Sequence, residues 1–432
     1  MPPPSDSDML RAKQYWTEHC TLTIGRLMKS TGSYSKEDVQ AQLRFLGEHV
    51  APHLGPVPSQ AAVYGHGPSL LTQTGSPLMP NLNISRAKAK VRYTVEILGS
   101  PGESENDPLA IGAARRILPT LTAEAGLSTA WMDPLLEALS LTKEECATVS
   151  ERLPEWLASI CNDPPAITRL PFCFVAFDLE GPAREMKAYF NLKPKQLATG
   201  IPMSRTAFDV IRKLEQLNNP AGLEALEALE TFLDQRKGLI TVELLGMDCV
   251  PPRDLAQARI KLYVNAASNA FHTVRDVVTL GGRRADQATA EYLATLRQVW
   301  HLLINEPRGL PVDDEGWEKP LKDPRLMSQR LYFSFELRSG MALPEVKTYL
   351  PTWNYAQTDE QIVRNYDEVF RLCGSEWGEG GRYRTAFEST FGSADHDRPV
   401  LCHTDASFFY TKEKGIYQTL YYSPSLSLEP EH

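Results

Sequence analysis

Residues 172–192 read FCFVAFDLEGPAREMKAYFNL. FCFVAFDLEG (172–181) and REMKAYFNL (184–192) are strand-like runs that follow one another closely enough to pair as an antiparallel hairpin. Helical text, MDPLLEALSLTKEECATVSERL (132–153), stands before them. The same order recurs on both sides. Residues 8–54 read as two helices, with Ser35 just before the second, and lead to SPLMPNLNIS (76–85) and AKVRYTVEILGS (89–100). AGLEALEALETFLDQR (221–236) precedes ITVELLGMDCV (240–250) and QARIKLYVN (257–265). ATAEYLATLRQVWHLL (288–303) precedes RLYFSFELRSG and EVKTYLPTW, and DEQIVRNYDEVFRLCG (359–374) precedes LCHTDASFFYTK and GIYQTLYYSP. Five helix-helix-strand-strand units thus cover nearly the whole chain. The centres of their second strands, Arg92, Lys187, Lys261, Lys347 and Tyr421, are 95, 74, 86 and 74 residues apart. Repetition at this period predicts an α+β fold, a ten-stranded antiparallel β-barrel surrounded by helices and built from five ααββ repeats. Closure would remove the exposed sheet edges. A single domain over 1–432 is expected, with short disordered ends at about 1–8 and 425–432.

Composition narrows the function. The chain has 432 residues, 42% hydrophobic and 23% charged, an ordinary globular balance. A net charge of −9 argues against nucleic acid or an anionic membrane as partner, so any anion site must be local. No basic segment followed by an apolar stretch opens the chain, and no run of 18 apolar residues occurs, so a cytoplasmic protein is expected. The seven cysteines form no Cys-x-x-Cys and no metal-like pairing with histidine; they read as reduced core residues. His19-Cys20 and Cys402-His403 are neighbours in sequence but not a nucleophile–base pair.

The chemistry lies at the strand centres. Lys187 and Tyr189, Arg259, Lys261 and Tyr263, and Lys347 and Tyr349 stand two apart, so each set projects from one face of its strand. Arg92 and the pair Tyr417 and Tyr421 extend the pattern to the first and last units. Facing inward, Arg92, Lys187, Arg259, Lys261 and Lys347 would converge on one cavity, where burial without a counter-charge is prohibitively costly. A compact polyanion such as a diphosphate is the implied partner. Tyrosine faces stabilise a neighbouring cation by about 0.5 to 2 kcal/mol each. Together these suit an allylic diphosphate, whose ionisation leaves pyrophosphate among the lysines and a carbocation among the rings.

On the VRYTVE strand, MKAYF, RIKLYVN, VKTYLPTW and the Tyr417/Tyr421 pair, the chain resembles the fungal dimethylallyltryptophan synthase family of aromatic prenyltransferases from about Tyr15 to Pro424. The resemblance implies the αββα barrel, with Arg92, Lys187, Arg259, Lys261 and Lys347 binding the diphosphate. It makes Tyr189, Tyr263, Tyr349, Tyr417 and Tyr421 the shield around the cation. It implies a dimethylallyl or geranyl diphosphate co-substrate, an aromatic acceptor of secondary metabolism and no further cofactor. Monomer and homodimer both remain open.

One position departs from the family. Its members usually carry Glu in a Pro-x-Glu context, accepting a hydrogen bond from the indole N–H, where this chain has Met79 in Ser76-Pro77-Leu78-Met79-Pro80-Asn81. A thioether is only a weak acceptor. The expectation is therefore a phenolic or polyketide-derived acceptor, with an indole or tryptophan-derived one as the alternative. Glu96, on the same face as Arg92, is the first other carboxylate to consider for an indole. The Asp313-Asp314 segment reads as a solvated acidic loop rather than a magnesium site, since the basic set makes metal dispensable. The glycine-rich stretch 374–381 lacks the order of a phosphate loop and reads as a connection between units. A non-catalytic protein that sequesters a phosphorylated ligand would explain the cations but leaves the tyrosines without a purpose.

Overall fold

The computed structural model describes residues 5–59, 68–101, 107–160, 167, 169–309, 311, 317–322, 330–396, 398, 400–411 and 415–427. Its strands are β1 (Leu78–Ser85), β2 (Lys88–Glu96), β3 (Cys173–Glu180), β4 (Ala183–Asn191), β5 (Ile240–Cys249), β6 (Ile260–Ala266), β7 (Leu331–Leu337), β8 (Glu345–Pro351), β9 (His403–Thr411) and β10 (Gly415–Tyr422). Each pairs antiparallel with its neighbours in sequence, and β10 returns to β1 through Asn81↔Tyr421, so the barrel is closed. Among the described residues, closure leaves no edge strand along which another chain could add.

Helices α1 (Asp6–Thr31) and α2 (Lys36–Phe45) precede β1, while α9 (Phe271–Val278) and α10 (Gln287–Leu303) precede β7. Helices α11 (Asp359–Leu372) and α12 (Arg382–Phe391) precede β9. The second and third units depart from the expected helix pairs. The second has α3 (Ile111–Glu124), α4 (Met132–Leu139) and α5 (Lys143–Ile160); the third has α6 (Lys193–Thr199), α7 (Met203–Ile211) and α8 (Pro220–Asp234). Breaks in the local chemistry explain the extra helices. Gly200, left-handed at φ 76°, ends α6, and Pro202 caps α7. The glycine-rich stretch 374–381 joins α11 to α12 inside the fifth unit rather than connecting two units. Helix α1 begins within the stretch expected to be disordered, because Ser5 and Asp8 form a reciprocal capping box. At the other end, the Tyr15 hydroxyl donates to the Ser427 carbonyl at 3.0 Å.

Strand alternation runs opposite to that of a barrel filled by apolar side chains. Val91, Tyr93, Val95, Val175, Phe177, Met186, Phe190, Phe333 and Phe335 are buried beneath the helices, while charged and phenolic residues take the inner face. The hydrophobic core is therefore a shell between sheet and helices. Phe45 of α2 meets Phe177 at 5.3 Å, and Phe232 of α8 meets Phe335 at 5.9 Å, both edge-on. Phe335→Ala should cost about 3–5 kcal/mol in a urea titration, since the shell cannot collapse onto a rigid closed sheet.

Candidate active site

Inward residues lie two apart along each strand, about 6.6 Å per step, and their chemistry sorts them into layers. Arg92, Lys187, Arg259, Lys261 and Lys347 form the cationic one, with Arg259 a step before Lys261. One step along β4, β6 and β8 come Tyr189, Tyr263 and Tyr349, with Tyr421 opposite Asn81 on β10. Met79, paired with Thr94, Phe174, opposite Tyr189, and Tyr332, opposite Tyr349, make up a third layer of the lining together with Glu243, Trp353 and Asp405. All line one cavity of about 1090 Å³, and so does Tyr417. Every site residue read from the sequence thus borders the same space. The register also separates Tyr332, which lines the cavity, from Phe333, which is buried in the outer shell.

The polyanion expected as partner of the cations is not their sole counter-charge, because carboxylates of the barrel also meet them. Asp178 lies 3.0 Å from Arg92 and 2.6 Å from Lys187. Asp248 accepts from Arg259 and Lys261, each at 2.6 Å, and Glu336 accepts from Arg259 at 2.8 Å. Strand register sets up these contacts: Arg92 and Asp178 are directly opposed, whereas Lys187–Asp178, Lys261–Asp248 and Arg259–Glu336 run diagonally, two residues from the opposed positions Glu185, Gly246 and Lys261. Burial alone would raise all three carboxyls, yet the surrounding cations hold them below the usual carboxylate range. The sequence signal was an acid in the middle of an apolar run: FVAFDLE, LLGMDCV and FSFEL.

Within this buried cluster five cations face three carboxylates, an excess of positive charge suited to a polyanion, while Lys88, Lys90, Glu180 and Glu185 line the cavity outside the cluster. Lys347 carries the imbalance. No acid opposes it across β9, where Thr348 meets Phe408 and Tyr349 meets Ser407, and it makes no ion pair among the described residues. Its ammonium instead lies 5.1 Å from the Tyr349 ring centroid and 5.9 Å from that of Tyr417. Burial first, then the nearby Arg92, push its pKa well below that of an ordinary lysine.

The second layer is a continuous arc of rings. Tyr189 meets Tyr263 at 5.7 Å, Tyr263 meets Tyr349 at 5.8 Å, and Tyr349 meets Tyr421 at 6.3 Å. Gly246 makes room for it. A Cβ there would stand 2.7 Å from Tyr189 Cδ1 and 3.2 Å from Tyr263 Cε2. Anion-binding cations backed by a wall of π faces can pull a diphosphate from an allylic carbon and shelter the resulting cation.

A family model described as tryptophan dimethylallyltransferase matches residues 12–385. This chain belongs to that family. It is 48% identical over 427 residues to the indole diterpene prenyltransferase terF of Tolypocladium album, covering 98% of this chain and 96% of terF. It is 43% identical over 423 residues to the indole diterpene prenyltransferase ltmF of Epichloe festucae var. lolii, covering 96% and 94%. The crystal structure of AnaPT from Neosartorya fischeri superposes with a TM-score of 0.76 at 25% identity, over 99% of this chain and 97% of AnaPT. The protein is a transferase of the aromatic prenyltransferase class, with the family's barrel.

Other groups in this prenyltransferase have structural partners. Glu96 pairs with Arg169 at 2.7 Å and accepts from the Ser69 hydroxyl, so it is tied up by these partners and is not among the residues that line the cavity. His403 lies between Asp359, 2.6 Å from Nδ1, and the Tyr383 hydroxyl, 2.7 Å from Nε2, and Cys402 is buried with its thiol pKa raised by burial. His19 is held neutral, its pKa lowered to about 4 by burial, and the six described cysteines are free. Asp313 and Asp314, like Cys161, lie outside the described residues, among which no cluster of three or more His, Cys, Asp or Glu could hold a metal ion. No helix there is long and apolar enough to cross a membrane.

Burial lowers Lys187 to about 8, with Asp178 opposing the shift. Lys187 therefore loses its charge as pH rises through 8, and the affinity for dimethylallyl thiolodiphosphate, measured by calorimetry, should fall between pH 7 and 9. The fall should approach about tenfold per unit at the upper end. Gly246→Ala should displace the tyrosine arc and lower kcat by about 10- to 100-fold with an unchanged circular dichroism spectrum.

Proposed function

We propose that this enzyme transfers a dimethylallyl group from its diphosphate to an indole carbon of a large terpenoid acceptor of the indole diterpene class. What carries the acceptor reading is the 48% identity, over nearly the full length of both chains, to a relative named for indole diterpenes. The relatives therefore favour the indole alternative over the phenolic acceptor expected from Met79. The third layer is compatible with such a substrate. Met79, Leu70, Leu71, Phe174 and Trp353 give it an apolar surface, and about 1090 Å³ lies above the roughly 300–1,000 Å³ of ordinary ligand pockets.

In this reading Arg92, Lys187, Arg259, Lys261 and Lys347 grip the diphosphate. The allylic C–O bond breaks with its electron pair leaving on pyrophosphate, whose growing charge the cations stabilise more strongly than that of the intact donor. Tyr189, Tyr263, Tyr349, Tyr417 and Tyr421 surround the allylic cation and keep water from it. An indole carbon then attacks from the third layer, and its displaced proton passes to solvent or to a carboxylate of the cavity. Because Asp178, Asp248 and Glu336 already orient the cations, no metal ion is needed to organise the diphosphate.

The test is a panel of dimethylallyl acceptors read by mass increment and kcat/KM. An indole diterpene should exceed free tryptophan and simple phenols by about 100-fold or more, since binding energy from the terpenoid portion is available to neither. Preference for a phenol would overturn the indole assignment. Activity should persist in EDTA; loss on chelation with recovery on magnesium would overturn the metal-free donor site.

A further inference from the structure

As an indole carbon attacks the allylic cation, positive charge spreads onto the ring nitrogen, and its N–H becomes a strong donor in a site shielded from water. A buried donor of this kind needs an acceptor. Asp178, Asp248 and Glu336 are committed to cations at 2.6–3.0 Å. Glu243 accepts from Asn265 Nδ2 at 3.3 Å and feels the charge of Lys193. Met79 presents a thioether, and Glu96 is held by Arg169 and Ser69.

Asp405 remains. It lines the cavity from β9 and stands opposite Pro351, which follows Lys347 and Tyr349 at two-residue steps along β8. Its carboxylate therefore occupies the layer beyond the tyrosines, on the side away from the cations. It makes no ion pair among the described residues, and its hydrogen-bonding neighbour is the Thr404 hydroxyl. Thr404 Oγ1 is also 4.0 Å from Met79 Sδ, so Asp405 and Met79 share one corner of the acceptor layer.

We propose that Asp405 accepts the hydrogen bond of the acceptor's indole N–H, supplying from β9 the carboxylate that Met79 on β1 does not. This role rests on the indole reading given above. Burial pushes the Asp405 carboxyl up to about 7, against a smaller lowering by Thr404, so the ionised form is accessible near neutrality and a nitrogen donor would favour it further. A carboxylate kept in an apolar layer without a cation is the kind of group that marks a functional position.

The experiment compares wild type and Asp405→Asn on an indole diterpene acceptor and on its N-methyl analogue, which has no hydrogen to give. Removing one charge-assisted contact at a reacting centre should lower kcat/KM on the N–H acceptor by about 100-fold. On the N-methyl acceptor the two enzymes should agree within about twofold. Unchanged affinity for dimethylallyl thiolodiphosphate establishes that the variant keeps its donor site; if it does not, Asp405→Ser is read in the same way. Equal losses on both acceptors, or undiminished turnover of the N–H acceptor, would overturn the role of Asp405 alone. A wild-type enzyme that prenylates no indole would overturn the acceptor assignment and this role with it.

Discussion

Pairing of buried opposite charges across neighbouring strands is the constraint on which this barrel depends. Asp178 pairs with Arg92 and Lys187, Asp248 with Arg259 and Lys261, and Glu336 with Arg259, all on the inner face of the barrel. A slip of one residue in any of these ladders would turn a charge into the apolar shell under the helices and bring a core residue into the cavity. Electrostatics and hydrophobicity thus select the same register. The same pairs hold the cations in place before a ligand arrives, so little reorganisation is required at the moment of ionisation. A diphosphate must share those cations with the carboxylates, which limits its ground-state affinity while leaving the charge available as the leaving group forms.

Much of this was legible in the sequence because alternation and repetition are local signals. Lys-x-Tyr in three strands, with Arg92 and Tyr421 at the matching places of the outer units, was enough to indicate a closed barrel and the side chains that border its cavity. The carboxylates were harder. An aspartate within FVAFDLE shows its parity, but which cation it meets depends on the register between strands, and no single strand contains that. Arg169, which ties up Glu96, comes from the segment before β3 and belongs to no repeating pattern. The extra helices of the second and third units arise from local breaks such as Gly200 and Pro202, which subdivide helical text without changing its apolar spacing.

The expectation of a phenolic acceptor rested on a single position, whereas the relatives favour its indole alternative. Met79 was weighed as though one position on β1 decided whether an indole nitrogen could be satisfied. In a closed barrel, side chains from several strands reach the same volume, and Thr404 of β9 comes within 4.0 Å of the Met79 sulfur. A missing group on one strand can be replaced by another two strands away, and nothing in the linear order of residues marks the two as neighbours.

The inverted alternation of the strands has a consequence for how such a protein can change over time. Side chains that hold the sheet to its helices point outward, and those that touch substrates point inward, so the two sets share a backbone but hardly any packing. Substitutions at Met79, Phe174, Tyr332 or Trp353 alter the lining of the cavity rather than the shell that carries most of the folding energy. An enzyme built this way can exchange one bulky acceptor for another while its fold and its donor chemistry stay fixed, and lineages that share this scaffold are free to diverge in product without first becoming unstable.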